Sequence, residues 1–388
     1  MTVDRILTTH VGSLLRPESI LPSLLAMERG ESVEREAFEA VLRDVVADVV
    51  RRQVETGLDI VDDGEMGKPG WITYSYERIG GIEPIVVRGR EEVLVPAGQP
   101  EDDLSPSQLY TDVHYKHEDD EEGVTWACTG PLSYDPTLVE RDIANLRAAL
   151  EGHDVVDAFI PAVAPGSMYW IRNEHYVTDE EFVFAFADVL REEYRRIVDA
   201  GFLVSVDDAV MWHKLATIRV SGGTYEDYVA WAEPRIEALN HALRGIPPER
   251  VRYHLCSGSG HTPHTQDPEL HEIIDLVLRV NARYLQIEQA NARHEHEWCI
   301  WEDVPLPDDK VVVPGVVTHQ TMMVEHPKLV AQRLVRLAKL VGRDRVMAGT
   351  DCGFAQDGPT RRVPEFTQWA KLRSLVEGAR LASERLWP

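Results

Sequence analysis

TDEEFVFAFADVLREEYRRIVDAG, residues 178–201, runs directly into FLVSVDD, residues 202–208, and the order of these two segments sets the fold. Thr178 can cap a helix, Asp179, Glu180 and Glu181 fill its positive first turn, and Gly201 ends it. The apolar run closed by Asp207 and Asp208 then reads as a strand. A helix that feeds such a strand is half of a βα unit around a parallel sheet.

Working outward, the same alternation recurs almost from end to end. Strands are expected near Ile6–Ser13, Ile60–Glu65, Asp157–Val163, Phe202–Asp208, Val251–Gly258, Tyr284–Gln289, Val311–Val317 and Val346–Cys352. Pro327 to Val341, with Pro in its first turn and Gly342 behind it, is a second clear helix. Eight strands with intervening helices predict an α/β fold, a (β/α)8 TIM barrel formed as a single domain over residues 1–388. Val124–Pro131 would make a ninth strand. The acidic, proline-bearing stretch before it, about Arg88 to Gly123, lacks helical periodicity, so an excursion hairpin is expected at about 85–131, outside the barrel.

The chain has 388 residues and 44% hydrophobic content, enough for a full core. Its 40 Lys plus Arg against 66 Asp plus Glu give a net charge of -26, which repels phosphate backbones and anionic membrane surfaces. Nucleic acid and membrane are therefore not expected partners. The opening Met1–Arg5 leads into a strand-like segment, not a secretion signal, and no run of about 18 apolar residues occurs. A soluble cytoplasmic protein is expected, and a homo-oligomer is compatible with the sequence. Cys128, Cys256, Cys299 and Cys352 are too few for a disulfide scaffold, so each is a packing group, a metal ligand or a nucleophile.

In a parallel barrel the active site forms at the carboxyl ends of the strands. Acids, His and Cys recur there: Asp62-Asp63-Gly64-Glu65, Asp207-Asp208, His254-Leu255-Cys256, Glu288 and Asp351-Cys352. His254 and Cys256 are two apart, so on a strand both side chains face the same way and can grip one ion. With Glu288 and Cys352 they make a His, two thiolates and a carboxylate, a donor set that suits Zn2+ better than Mg2+ or Ca2+. Cys128 and Cys299 lack such company and are read as packing residues. The tracts His261–His264 and His294–Glu297 are read as solvated loops, with a lid or a second metal as the competing reading.

His254-x-Cys256, Ile287-Glu288 and Gly349-Thr350-Asp351-Cys352-Gly353 resemble the zinc site of cobalamin-independent methionine synthases, in their carboxyl-terminal catalytic barrel. Thr8-Thr9-His10-Val11-Gly12-Ser13-Leu14, Asp63-Gly64-Glu65, Val206-Asp207-Asp208 and Gly315-Val316-Val317-Thr318-His319 match in the same order. The resemblance spans nearly the whole chain. It is to the short, single-barrel relatives, which include proteins like the epoxyalkane:coenzyme M transferase.

The resemblance implies a zinc-dependent methyltransferase that moves a methyl group to a small-molecule, homocysteine-like thiol acceptor through a zinc-bound thiolate. Coordination deprotonates the thiol and makes it the nucleophile. By the same likeness His319 is the general acid for the donor's leaving nitrogen, Asp207 orients it or contacts substrate, and Trp170 stacks on a pterin donor. The Gly12 and Ser13 backbone takes the acceptor's carboxylate and Glu65 its ammonium, with His10 standing behind them. Ala209-Val210-Met211-Trp212-His213 departs from the family, which carries proline and a further glutamate there. That departure motivates the alternative of alkyl transfer to coenzyme M or another thiol from an epoxide or other non-folate donor. A non-catalytic zinc-binding barrel is the reading from another class; a metal shell that no thiol enters would favour it.

Overall fold

The computed structural model describes residues 4–28, 31–88, 122–257, 267–355 and 363–388. Its strands are β1 (Ile60–Val61), β2 (Ile79–Arg88), β3 (Glu122–Tyr134), β4 (Asp157–Val163), β5 (Arg172–Asn173), β6 (Leu203–Asp208), β7 (Val251–Leu255), β8 (Tyr284–Ile287), β9 (Val311–Val317) and β10 (Gly349–Thr350). Seven of them form one curled sheet in the order β1-β4-β6-β7-β8-β9-β10, every neighbouring pair parallel. The order follows the sequence, as successive right-handed βα units require. The fold is thus α/β and TIM-like.

The first expected strand, Ile6–Ser13, is not a strand. Within it Thr8 makes an isolated parallel bridge to Ala348. Thr9 N donates to Ala348 O at 2.9 Å, while Ile60 N donates to Thr8 O at 3.1 Å, so residues 8 and 9 are hydrogen-bonded to both edges of the sheet.

Helices cover the outside because their apolar stripes face the strands. The helix Asp179–Asp199 matches the expected one: Thr178 caps it by accepting Glu181 N at 3.0 Å, and Phe182, Phe186, Leu190 and Tyr194 are buried. Tyr194 Oη donates to Val163 O of β4 at 2.5 Å, which pins helix to strand. The helix Pro327–Val341 has the expected bounds. Among the described residues no helix is long and apolar enough to cross a membrane.

The excursion is wider than expected. β2 and β3 pair antiparallel from Ile79↔Tyr134 to Arg88↔Glu122, and β5 joins β3 in parallel, which makes a separate three-stranded sheet. Gly80, Gly81 and Pro84 break the alternation of β2 and hid it in the sequence. The region 89–121 lies outside the described residues. The hairpin is anchored at its root, where buried Arg78 donates from Nε and Nη2 to the two Glu193 carboxylate oxygens at 2.6 and 2.8 Å.

The candidate site stands on a polar floor inside the curled sheet. Arg252, 2% exposed, stacks on Phe159 at 3.8 Å and donates to His10 O at 2.6 Å and Gln286 Oε1 at 2.5 Å. His10 Nε2 lies 2.8 Å from Gln53 Oε1, and burial pushes its pKa down to about 4. A ring held this way is neutral at neutral pH and helps to pack the wall beneath the site.

Candidate metal and substrate site

The pleat of β7 points Arg252 and His254 to the same face, and Cys256 follows where the strand ends. Cys352 arrives from the edge of the sheet, two residues after β10 and three strands away from β7 in the sheet order. Gly353 lets this loop close in, since a Cβ there would meet Ser13 Oγ at 2.2 Å.

His254, Cys256 and Cys352 converge, all buried, with one ligand atom from each lying within 4.8 Å of the other two. His254 Nε2 is 3.4 Å from Cys352 Sγ, and the two sulfurs are 3.8 Å apart. Zn–S and Zn–N bonds of about 2.3 and 2.0 Å put tetrahedral edges at about 3.8 Å between sulfurs and about 3.5 Å between N and S. The observed edges therefore fit one tetrahedral zinc ion.

Glu288 is buried at the end of β8 but is not in that three-residue group. Its Oε1 accepts Ser257 N at 2.9 Å and its Oε2 accepts Asn291 Nδ2 at 3.0 Å. Burial, with the Cys256 and Asp351 charges beside it, pushes its carboxyl up to about 8. The hydrogen bond to Cys352 and burial push the Cys256 thiol well up. For His254, burial opposes protonation, but the Cys256 hydrogen bond and the Asp207 and Glu288 charges outweigh it and raise its pKa. Buried acids and thiols thus impede one another's ionisation, and a dication among them reverses that penalty.

Sequence reasoning passed over the groups that brace this site. Asp351 Oδ1 accepts Gln289 N at 2.9 Å and Ala290 N at 2.7 Å, and its Oδ2 accepts Asn291 Nδ2 at 3.3 Å, so it holds the segment that carries Glu288. Gly315 on β9 makes room for it, a Cβ there lying 2.0 Å from Asp351 Oδ1. Asp351 was legible as a strand-end acid, but not as the brace of the segment that carries Glu288.

On the substrate side, Asp207 is opposite His254 in the β6–β7 register. Its Oδ1 is buried and has no hydrogen-bond partner among the described residues, and burial pushes its carboxyl up to about 7. Asp208 faces elsewhere, accepting Tyr253 Oη at 2.9 Å and the N–H groups of Val210 and Met211 at 3.2 and 3.1 Å. His319 is buried two residues past the end of β9. Gly12 packs against Pro161, whose Cγ would be 2.8 Å from a Cβ there, and Ser13 O accepts Phe354 N at 2.8 Å. Glu65 is buried with a left-handed φ of 55°, and its Oε1 accepts Lys68 Nζ at 3.1 Å. Trp170 closes the turn Pro165–Trp170, while its side chain lies outside what is described.

One loop reading is corrected. His294 and Glu297 are buried, not solvated: His294 Nε2 lies 3.2 Å from Asp267 Oδ2 and its ring packs on Trp212 at 4.5 Å. His261 and His264 lie outside the described residues. Cys128 is a packing residue as expected, but Cys299 is exposed.

The model of the cobalamin-independent synthase catalytic domain matches residues 165–380. The chain is 23% identical over 390 residues to the methionine synthase of Sulfolobus acidocaldarius, covering 98% of this chain and 93% of the relative. It is 22% identical over 387 residues to that of Saccharolobus solfataricus, covering 98% and 95%. The structure of a B12-independent methionine synthase from Shewanella sp. W3-18-1, in complex with selenomethionine, superposes with a TM-score of 0.71 at 20% identity, covering 98% of this chain and 99% of that one.

Proposed function

This chain belongs to the cobalamin-independent synthase catalytic-domain family, and we propose that it is a zinc-dependent transferase that moves a methyl group to a small-molecule thiol of the homocysteine class. The observation that carries the reading is the convergence of His254, Cys256 and Cys352 at tetrahedral spacing. Zinc held there supplies one thing, a lowered pKa for an incoming thiol, so that it attacks as the anion. Glu288, held by Ser257 and Asn291 outside the three-residue group, would be a weak fourth donor, the one to yield its place to an incoming thiol.

The remaining steps belong to the chain's own side chains. Burial in a mouth of protein atoms excludes water that would compete for the electrophile. Asp207, with its open Oδ1, receives a donor group of the substrate or orients His319. His319 holds the proton that a departing amine or alkoxide takes. The backbone around Gly12 and Ser13 positions the acceptor's acid end. The same reading treats residues 1–388 as one barrel, with residues 8 and 9 as its eighth stave, and sets it in the cytoplasm, where thiol substrates stay reduced.

A second reading keeps the thiol chemistry but changes the donor to an epoxide or another non-folate alkyl compound. It is favoured by Ala209–His213, where Trp212 is buried against His294 and donates to Pro268 O at 2.8 Å instead of facing a ligand.

Zinc-edge absorption spectra with and without homocysteine or coenzyme M test the core claim. One added sulfur neighbour is expected for the true acceptor. A shell that no thiol enters, in protein that stays folded, would reject transferase chemistry and leave the non-catalytic barrel.

A further inference from the structure

The turn after β4 and the helix after β6 enclose a corner of aromatic rings that the thiol chemistry does not use. Tyr169 of the turn Pro165–Trp170 and Trp231 of the helix Tyr225–Ala242 stand edge to face, their centroids 6.4 Å apart and their planes at 87°. Lys214, the first residue of the helix Lys214–Val220, puts its Nζ into that corner, 4.8 Å from the Tyr169 centroid and 5.5 Å from that of Trp231. Arg235, 5% exposed, lies over Trp231 at 4.2 Å. Its Nη1 donates to Trp231 O at 2.8 Å and its Nη2 to Asp179 Oδ2 at 2.6 Å.

We propose that this corner is an oxyanion-binding subsite at the rim of the sheet's carboxyl end, with the Lys214 ammonium as its principal donor and Arg235 as its second cation, for a carboxylate, sulfonate or phosphate group. The proposal goes beyond the alkyl-transfer reading and does not depend on it.

The Lys214 ammonium makes no hydrogen bond or ion pair among the described residues, on a chain whose acids outnumber its bases 66 to 40. Ring faces hold a cation in place but give its N–H groups no oxygen to bond, so the ammonium stands ready for an anion. The nearby acids are committed elsewhere: Asp179 to Arg235, and Asp208 to Tyr253 Oη and the N–H groups of Val210 and Met211. Arg235 Nε is buried with no hydrogen-bond partner among the described residues, although the other two nitrogens of that guanidinium are engaged. Burial lowers the pKa of Lys214, Arg235 lowers it further and Asp179 opposes both, so an anion beside the ammonium offsets its desolvation. Tyr169, Lys214 and Trp231 are each half-buried, which leaves the corner within reach of a ligand. An oxyanion offers several acceptors, which the point charge of a lysine and a guanidinium N–H can share.

The corner is tied to the strand that carries Asp207. Ser167 Oγ of the same turn donates to Asp208 Oδ1 at 3.3 Å, Ala164 N donates to Asp207 O at 3.0 Å, and Lys214 N donates to Val210 O at 3.0 Å. Gly166 lets Arg235 press on the turn, since a Cβ there would lie 3.2 Å from Arg235 Cβ. An anion held by Lys214 thus braces the segment from Asp207 to Lys214.

Trace labelling with acetic anhydride, read at Lys214 by mass spectrometry, tests the subsite on the wild-type protein. At constant ionic strength, inorganic phosphate and methanesulfonate should each slow acylation of Lys214 several-fold, because a bound anion shields the amine and keeps it protonated; exposed Lys339 should not change. Phosphate binding, followed by the line width of its phosphorus resonance, should weaken roughly tenfold or more in Lys214→Met and persist in Lys214→Arg. Unchanged acylation with both anions, or equal phosphate binding by wild type and Lys214→Met, overturns the proposal and leaves Lys214 a packing cation on two rings. The labelling decides alone if a variant does not fold. Thiol consumption then identifies the anion's source. Phosphate that raises KM several-fold for methyltetrahydrofolate, which carries carboxylates, and not for propylene oxide makes the anion the donor's own; an equal effect on both, or none, makes it a separate effector. Absence of any turnover, with Lys214 still protected, would sink the alkyl-transfer reading and leave the subsite standing.

Discussion

Single residues decide the metal. Cys256→Ala or Cys352→Ala should lower zinc from about one per chain to a small fraction, because each removes a corner of a tetrahedron whose edges are already set. Glu288→Gln should cost far less, within about a hundredfold in affinity, since Gln preserves an acceptor for Ser257 N and the carboxylate is braced as a neighbour of the three-residue group. Metal analysis after dialysis against a graded chelator reads both; equal loss in all three variants would promote Glu288 to a full ligand. The pair His254 and Cys256 could be read from sequence because a strand's pleat makes residues two apart neighbours. The buried contacts of Lys68 could not, because they depend on a turn that folds it back onto Glu65 and on a carbonyl 93 positions away. Asp63 offers a test of burial itself: desolvation and the Asp142 charge push its carboxyl up to about 6. A raised carboxyl favours the fold below its ordinary pKa and loses that contribution as pH rises through about 6. Asp63→Asn, which keeps the acceptor for Glu65 N, should therefore stabilise the protein at pH 8 by roughly 2–3 kcal/mol and change little at pH 4. Urea midpoints at the two pH values measure it, and an equal shift at both would assign the effect to something other than ionisation.

At the scale of elements, strand interiors were legible and strand ends were not. β4 and β9 have the expected bounds because their apolar runs pair along their whole length. β1 stops at Val61 where Glu65 was expected, and the cause is local: Asp62 Oδ1 accepts Gly64 N at 2.8 Å and Asp63 Oδ1 accepts Glu65 N at 2.9 Å, so the acids turn the backbone out of the ladder. The residues that end strands here are the ones that build the site. The hairpin root makes a prediction of its own. Arg78 and Glu193 are both buried in a two-point ion pair, and Arg78 also donates to Tyr74 O at 2.8 Å. Arg78→Met should cost about 3–5 kcal/mol by stranding Glu193, whereas the double variant Arg78→Met with Glu193→Leu should recover most of that loss. Denaturant unfolding of the three proteins gives the coupling, and a double variant as unstable as the single one would show that packing, not charge, secures the hairpin.

For the whole molecule, the site and the surface pull an anionic acceptor in opposite directions. The chain carries a net charge of -26, while Lys68 and Arg16 are buried and already matched by Glu65 and its neighbours. Matched, buried charges add little to the potential felt at long range, so an approaching anion meets the acidic surface first. Screening acts on that outer repulsion, with a Debye length of about 30 Å at 0.01 M salt and about 8 Å at 0.15 M, and leaves short buried contacts almost untouched. Raising ionic strength across that range should speed the association of an anionic thiol such as coenzyme M several-fold, mainly through the on-rate. A neutral thiol of similar size, such as 2-mercaptoethanol, should show no comparable gain. Stopped-flow association at matched pH separates the two. A rate for the anion that falls with added salt would mean that a local positive field at the barrel mouth overrides the surface, and that its source lies in side chains other than the internally paired Lys68 and Arg16.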